Sequence, residues 1–542
     1  MKRFRRGLLA LILALSLLLS GCNALALGDF FQQIGDILQS GMSVPFSQME
    51  YSRPDSGAFL EQVEKTEKLS ETETDVEKLM EEVYACYELY YSFYTNYVLA
   101  NIHYCIDVTD IYWDEEYQHC LDATSQVDAA MDSLLYALAD CSLRQELEKD
   151  DFFGEGFFSA YEGDSLWDEA FTALMDEEAE LLAEYYDLSA EAGPHMAYSD
   201  AFFTQWGTKF IDLFTRLVAL RQEIADCAGY DNYIGFAYDF YYDRDYTPEQ
   251  AVSLIGDIQK ELSPLYTQMP ETVRYPGYAP CTEEQIFAYV KETAGAMGGT
   301  VGDAFRLLEE NGLYNTAISN KKYDASFEVY LPNYYSPYVF LNPQGIAMDK
   351  LTFAHEFGHF CNDYAAGGTV AGVDVAEVFS QAMEYLSLCY NPQGGTLGPV
   401  KMADTLGLFV EQSAYACFEH RVYQLEGEEI TAENVLAVYQ QVGEEFGFAG
   451  DYWDSREFVM IPHFFTNPLY IISYVVSADA AMQIYQAELE TKGAGLALME
   501  QNLDTDQPLF LAFVEEAGLT SPFESGRAAA LRDTLRAGIW GE

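Results

Sequence analysis

The chain has 542 residues, 49% of them apolar, and its 88 acidic and 28 basic residues give a formal net charge of −60. A chain this acidic is not expected to bind nucleic acid through the phosphates or to lie on an anionic membrane. The length allows two or three domains or one large helical body, and the apolar fraction is sufficient for a substantial core.

The first 21 residues have the pattern of an export signal. A basic start with Lys2, Arg3, Arg5 and Arg6 precedes the apolar run 8–19, which is too short for a confident membrane span. Small residues before Cys22 resemble a bacterial lipoprotein cleavage box, so we expect lipid on Cys22 as the only membrane anchor. An ordinary signal peptide with a chance cysteine is the alternative. Removing the four basic residues would make the net charge −64.

Most of the mature chain is predicted to be helical. We expect a tether at 22–50, an N-terminal helical region at 51–240 and a catalytic region at 241–542, with the helix after Thr247-Pro248 near the boundary. Apart from the lipid-bearing Cys22, the mature chain would contain nine cysteines. Their spacing is not that of a disulfide framework, so most are interpreted as small buried hydrophobes, with one or two bridges still open.

One β signal stands out. Residues 326–331 alternate between faces, 332–337 have turn composition, and 338–342 form a second short strand. Such a hairpin could be purely structural, or its edge could hold an extended peptide by main-chain hydrogen bonds.

A short motif follows the hairpin, His355-Glu356-Phe357-Gly358-His359. On a helix the two histidines share one face and can bind one Zn²⁺, while Glu356 can reach a water at the metal. Apolar flanks predict a largely buried helix, in which two unpaired imidazoles would be costly. Asp349 is the expected N-cap and Gly367-Gly368 the expected stop. The motif indicates a zinc-dependent peptide-bond hydrolase.

A catalytic zinc needs a third protein ligand and an open position. The next predicted helix, 373–390, carries Asp374, Glu377, Gln381 and Glu384 on one face. A solvated charge stripe is the alternative interpretation, but the rest of this helix is apolar. Glu377 is therefore our candidate ligand, and Asp374 and Glu384 could orient the imidazoles.

The run 461–474 combines His463 with Tyr470 and Tyr474 in a helix-like pattern. Amide hydrolysis builds negative charge on the carbonyl oxygen, and positioned hydroxyl or imidazole donors stabilise that charge. In a chain with 41 tyrosines this pattern alone carries little weight.

Together these segments resemble the oligoendopeptidase F and thimet oligopeptidase family of zinc metallopeptidases, over roughly residues 200–500. The resemblance also includes 229–233, 244–247 and the hairpin from Tyr330 to Asn342. It implies a mainly α, two-lobed fold with a deep central channel and a small β hairpin beside the motif helix. It also implies one Zn²⁺ per chain on His355, His359 and Glu377. There are three departures. Asn362 stands where many members have a histidine, Ile472 stands where a tyrosine is common, and the spacing from His359 to Glu377 is shorter than in thimet oligopeptidase.

By this resemblance Glu356 would be the general base, and His463, Tyr470 and Tyr474 would stabilise the oxyanion and hold the substrate. We expect a monomeric, surface-anchored endopeptidase for short unfolded oligopeptides. The acidity could serve solubility alone or favour cationic peptides. A lipid-anchored peptide-binding protein without turnover and a zinc carboxypeptidase remain alternatives, and Mn²⁺ or Co²⁺ could replace zinc.

Overall fold

The computed structural model describes residues 44–541 except 151, 162–168, 193–198, 271–272, 274–278, 324, 369–370, 449–452 and 506. The expected signal peptide, Cys22 and the tether up to residue 43 lie outside the described residues. Within them no helix is long and apolar enough to cross a membrane.

Helices dominate the described chain, as expected from the sequence. Their bounds are α1 (Ser56–Ser70), α2 (Val76–Ile106), α3 (Ile111–Asp140), α4 (Arg144–Leu147), α5 (Glu169–Ala192), α6 (Asp200–Phe202), α7 (Thr208–Cys227), α8 (Tyr233–Phe240), α9 (Pro248–Glu261), α10 (Ser263–Gln268), α11 (Glu283–Met297) and α12 (Gly299–Asn311). After the sheet follow α13 (Asp349–Ala366), α14 (Val373–Tyr390), α15 (Gly394–Gly407), α16 (Ser413–Val422), α17 (Ala432–Phe446), α18 (Pro462–Thr466), α19 (Ile472–Glu490), α20 (Ala494–Glu500), α21 (Phe510–Glu516) and α22 (Arg527–Trp540). Single π-helical turns, Phe203–Gly207 and Leu408–Gln412, lead into α7 and α16. The mainly α prediction is confirmed.

The first packed segment lies earlier than the expected end of the tether at residue 50. Met49 is buried, and the Phe46 ring lies 4.4 Å from the ring of Tyr338. The Glu50 N–H donates to the Tyr334 hydroxyl at 3.1 Å. Contacts with the hairpin therefore hold this segment against the body of the protein.

A three-stranded sheet of β1 (Tyr314–Asn315), β2 (Phe327–Leu331) and β3 (Ser336–Phe340) has the order β1-β3-β2. β2 and β3 form the expected hairpin, with Val329 opposite Tyr338. The second strand begins at Ser336, two residues before the prediction, because Ser336 and Pro337 pair with Leu331 and Tyr330. β1, which pairs in parallel with β3, has no recognisable signal in the sequence.

The hairpin packs on α13, and α13 packs on α14, which in turn packs on α19. α14 has the predicted bounds, and α13 ends at Gly367, whose φ of 76° is the left-handed conformation that glycine tolerates. The expectation that Asp349 is an N-cap is wrong, because Asp349 is the first helical residue. Its carboxylate instead accepts the N–H groups of Gln344 and Ile346 at 3.1 and 2.8 Å.

All nine described cysteines are free thiols. Five of them are buried, which agrees with their interpretation as small hydrophobes, and no disulfide joins any of the described residues.

Candidate active site

The motif helix α13 and the acidic helix α14 bring three polar side chains to one point. A ligand atom from each of His355, His359 and Glu377 lies within 4.8 Å of the other two. The Glu377 Oε2 atom is 3.4 Å from the Nε2 atom of His355 and 3.9 Å from that of His359. The two imidazole rings are 5.1 Å apart and nearly perpendicular, as expected for positions i and i+4 of a helix.

The donor set fits a zinc ion. Two imidazole nitrogens and one carboxylate oxygen are a common protein ligand set for catalytic zinc. In a tetrahedron with bonds of about 2.0–2.1 Å the ligand atoms are separated by about 3.4 Å. The His355–Glu377 separation of 3.4 Å already has this value, and the His359–Glu377 separation is slightly longer. Small shifts of these side chains would therefore complete the site.

A chain of contacts orients His355. Its Nδ1 atom lies 2.9 Å from Glu384 Oε1, which leaves Nε2 facing Glu377. The other oxygen of Glu384 forms an ion pair with the buried Lys401 at 2.7 Å. Contacts of this kind fix the tautomer and the direction of a metal-binding imidazole. The expectation for Glu384 thus agrees with its place in the structure.

Glu377 is held at both oxygens. The Ser380 hydroxyl, one turn along α14, donates to Oε2 at 2.9 Å. The Tyr470 hydroxyl donates to Oε1 at 3.2 Å. The carboxylate is therefore fixed before any metal binds, with Oε2 directed at the histidines.

The electrostatics of the imidazoles depend on these neighbours. Burial alone would lower the pKa of His355, but the hydrogen bond to Glu384 and the nearby Glu377 and Glu356 carboxylates raise it to about 9. Burial and the neighbouring His355 lower the pKa of His359 to about 3. At this spacing a positive charge on one imidazole disfavours a charge on the other, so His359 is held neutral, whereas His355 would release its proton on binding a metal.

Glu356 lies beside the three candidate ligands and is buried, with 7% exposure. Burial raises its pKa to about 7, with Glu377 and Glu384 adding to the increase and His355 opposing it. A carboxyl group that titrates near neutral pH is suited to accept and return a proton.

The structure also brings the three residues from the 461–474 segment together with Glu377. The rings of Tyr470 and Tyr474 are 5.2 Å apart, and the His463 ring lies 5.7 and 6.0 Å from them. The His463 Nε2 atom is 3.4 Å from the Tyr474 hydroxyl. Burial raises the pKa of Tyr474, so this hydroxyl keeps its proton and remains a donor at neutral pH.

Asp374 does not orient the imidazoles. Its Oδ2 atom accepts from the Tyr246 hydroxyl at 3.0 Å and lies 3.5 Å from the guanidinium of Arg244. Gly358, Ser380 and Lys401 also belong to the site, although the sequence alone predicts no site role for them. Gly358 could be singled out from the sequence, because a glycine inside a helix that is predicted to be buried indicates close packing at that position.

Comparison by sequence places residues 46–165 in the Peptidase M3 N-terminal domain family. No curated protein sequence matches the chain.

Comparison by structure extends the likeness to nearly the whole chain. A 3.1 Å X-ray structure assigned as oligoendopeptidase F has a TM-score of 0.78 and 19% identity, covering 92% of this chain and 98% of that chain. PZ peptidase A with inhibitor 2 has a TM-score of 0.76 and 19% identity, covering 92% and 99%. A structure from Bacillus anthracis str. Ames, also assigned as oligoendopeptidase F, has a TM-score of 0.75 and 18% identity, covering 93% and 99%. The chain thus combines a segment that matches the Peptidase M3 N-terminal domain with the fold of structures assigned as oligoendopeptidase F.

Proposed function

We propose that this protein is a zinc-dependent endopeptidase that cleaves short unfolded oligopeptides outside the cytoplasm. The observation that carries the proposal is the convergence of His355, His359 and Glu377 within 4.8 Å, with the buried Glu356 beside them. The name oligoendopeptidase F, given to two of the similar structures, favours oligopeptides as substrates, and the name PZ peptidase A favours peptide-bond cleavage.

His355, His359 and Glu377 would hold the metal. When bound there, zinc supplies Lewis acidity toward the scissile carbonyl and the attacking water. Glu356 takes a proton from that water as it attacks, and then delivers the proton to the leaving amine.

The developing negative charge on the carbonyl oxygen needs donors directed at it. His463, Tyr470 and Tyr474 are the candidate donors, and both tyrosines remain protonated at neutral pH because burial raises their pKa. The Tyr470 hydroxyl already donates to Glu377 in the structure, so Tyr474 and His463 are the better placed donors.

The hairpin gives the substrate a place to bind. Among the described strands β2 pairs only with β3, and β2 packs on the motif helix α13. A peptide aligned along the open edge of β2 would form main-chain hydrogen bonds regardless of its sequence. This would select for extended, unfolded chains.

The proposal is tested with the purified mature chain. Metal content is measured by elemental analysis, and cuts in a defined pool of peptides of varied length and charge are mapped by mass spectrometry. One zinc per chain and internal cuts are expected. Trimming from one end only would indicate a carboxypeptidase, and binding without cleavage would indicate a peptide-capture protein. Either result would overturn the proposal.

A Glu356→Gln protein, purified identically, excludes a contaminating protease. It should retain the zinc and lose roughly 10²–10⁴-fold of the turnover, because the amide cannot accept the proton. Near-normal turnover in a zinc-loaded Glu356→Gln protein would contradict the general-base role.

The location is a separate proposal that rests on the sequence pattern before Cys22. In a bacterial host, the chain should fractionate with the membrane and carry acyl groups at its mature N-terminus. A Cys22→Ala variant should be soluble or retained as an uncleaved precursor. Equal release of both proteins into the medium would contradict a lipid anchor.

A further inference from the structure

The backbone of Leu469, directly before Tyr470, is held in an unusual way. Leu469 has a φ of +64°, a left-handed conformation that costs a non-glycine residue on the order of 1–3 kcal/mol. The N–H and the carbonyl of Leu469 both form hydrogen bonds with buried side chains, one of them a glutamate and the other an arginine. Its N–H donates to Glu419 Oε1 at 2.6 Å, and its carbonyl accepts from Arg244 Nη1 at 3.0 Å.

Arg244 joins this segment to the helix that carries Glu377. Its side chain is fully buried, and it also donates to the Ser473 hydroxyl at 2.9 Å. On its other side the guanidinium is 3.5 Å from Asp374, one turn before Glu377 on α14. Arg244 thus contacts both the 461–474 segment and α14, the helix that carries Glu377.

Tyr242 adds a third bond to the same segment. Its hydroxyl donates to the Pro468 carbonyl at 2.8 Å, and the face of its ring lies 4.2 Å from the Arg244 guanidinium. The peptide groups before Tyr470 are therefore anchored from behind by Arg244, Glu419 and Tyr242. A buried arginine and a buried glutamate are costly to maintain, and here their bonds are made to one strained residue.

The consequence of this anchoring is the position of the Tyr470 hydroxyl, which donates to Glu377 Oε1 at 3.2 Å. Rotation of the Leu469 peptide out of the left-handed region would change the direction of the chain at Tyr470. The hydroxyl would then leave the carboxylate.

We propose that Arg244 and Glu419 are positioning residues that clamp the Leu469 peptide and so hold the Tyr470 hydroxyl against Glu377. The inference rests on the proposed peptidase function and adds to it a role for residues that touch neither substrate nor metal.

A double-mutant cycle separates this role from a merely structural one. Glu419→Ala should lower kcat by about 10–100-fold with a change in KM below about threefold, whereas Glu419→Gln, which keeps an acceptor for the Leu469 N–H, should recover most of the loss. In a Tyr470→Phe background, Glu419→Ala should lower kcat by less than about threefold. Equal losses in both backgrounds would overturn the proposal.

Tyr242→Phe is the milder second variant, because it removes one hydroxyl and leaves the ring over Arg244. Its smaller loss of kcat should also vanish in the Tyr470→Phe background, and a persistent loss would count against the clamp.

Arg527→Met is the matched control. This substitution breaks a buried ion pair with Asp479 on α19, the helix that also carries Tyr474. Its effect on kcat should be the same in the wild-type background and in the Tyr470→Phe background.

A second measurement does not depend on catalysis. In the metal-free protein, Glu419→Ala should speed hydrogen exchange in the 467–474 segment while α14 stays protected. If the wild-type protein cleaves no peptide, the proposed function fails and this exchange result still decides the clamp. Unchanged exchange in 467–474 would overturn it.

Discussion

Gly358 lies directly against Ser380, so that a Cβ atom on the glycine would be only 2.5 Å from the Ser380 Cα and 2.6 Å from the Phe379 carbonyl oxygen. Gly358 occupies the fourth position of the HExxH motif on α13, and Ser380 lies one turn after Glu377 on α14. The absence of a side chain at residue 358 allows the two ligand-bearing helices to approach closely. The separation of the histidines from Glu377 depends on this contact.

Gly358→Ala should therefore move the helices apart. We expect a loss of about 1–3 kcal/mol in the free energy of unfolding, as for other overpacked cores, and weaker zinc binding because Glu377 withdraws from the histidines. Chemical unfolding of the metal-free protein and competition with a chelator measure the two effects.

Gly256→Ala is the control for this prediction. Gly256 lies inside α9 and is exposed, and a Cβ atom added to it would meet no other atom within 4 Å. Alanine there should be neutral or stabilising by up to about 1 kcal/mol, because alanine has the higher helix propensity. Equal effects at both glycines would show that close packing at Gly358 is not the cause.

Sequence patterns located α13, α14 and the hairpin well because each depends on local signals. The apolar periodicity of 373–390 and the glycines at 367–368 are visible without any tertiary contact. The convergence of His355, His359 and Glu377 also followed from helix geometry and the family resemblance.

Other features depend on contacts between distant residues and left no local signal. β1 has only two residues and exists because Tyr314 and Asn315 pair with Val339 and Phe340. The left-handed conformation of Leu469 is imposed by Glu419 and Arg244, which are 50 and 225 residues away in sequence. Asp349 has the residue type of an N-cap, but its carboxylate caps the preceding turn and not the helix, which only the folded chain shows.

Glu384→Gln tests the contact that orients His355. The amide can keep a hydrogen bond to Nδ1, but it loses the charge that strengthens the imidazole as a ligand and its ion pair with Lys401. Zinc affinity should fall by about 10–100-fold. Lys401→Met should weaken binding less, because the Glu384–His355 hydrogen bond remains.

Chelator competition at constant pH measures both affinities. Lys322→Met is the matched control, since Lys322 is also buried but bonds the Leu341 carbonyl at the end of β3, and zinc affinity should not change. An unchanged affinity in Glu384→Gln would mean that this glutamate does not support the metal site.

The N-terminal helices should respond to pH through Asp128. Burial raises the pKa of Asp128 on α3 to about 6, although hydrogen bonds from Tyr94 and Tyr90 partly oppose this increase. Burial also raises the pKa of the nearby Asp132 to about 6. Between about pH 4 and 6 the folded protein holds protons that the unfolded chain has released. The stabilisation is therefore complete below about pH 4, and the free energy of unfolding falls as pH rises toward 6.

For Asp128 alone, the change from 3.8 to about 6 corresponds to about 3 kcal/mol across this window. Asp128→Asn keeps an oxygen for the tyrosine hydroxyls and should remove about 3 kcal/mol of the pH dependence, while Asp132 and the buried Glu356 still titrate. Asp122→Asn, on the exposed face of the same helix, should leave it unchanged. Urea unfolding from pH 4 to 7 with a chelator present measures the slopes, and equal slopes in wild type and Asp128→Asn would contradict the assignment.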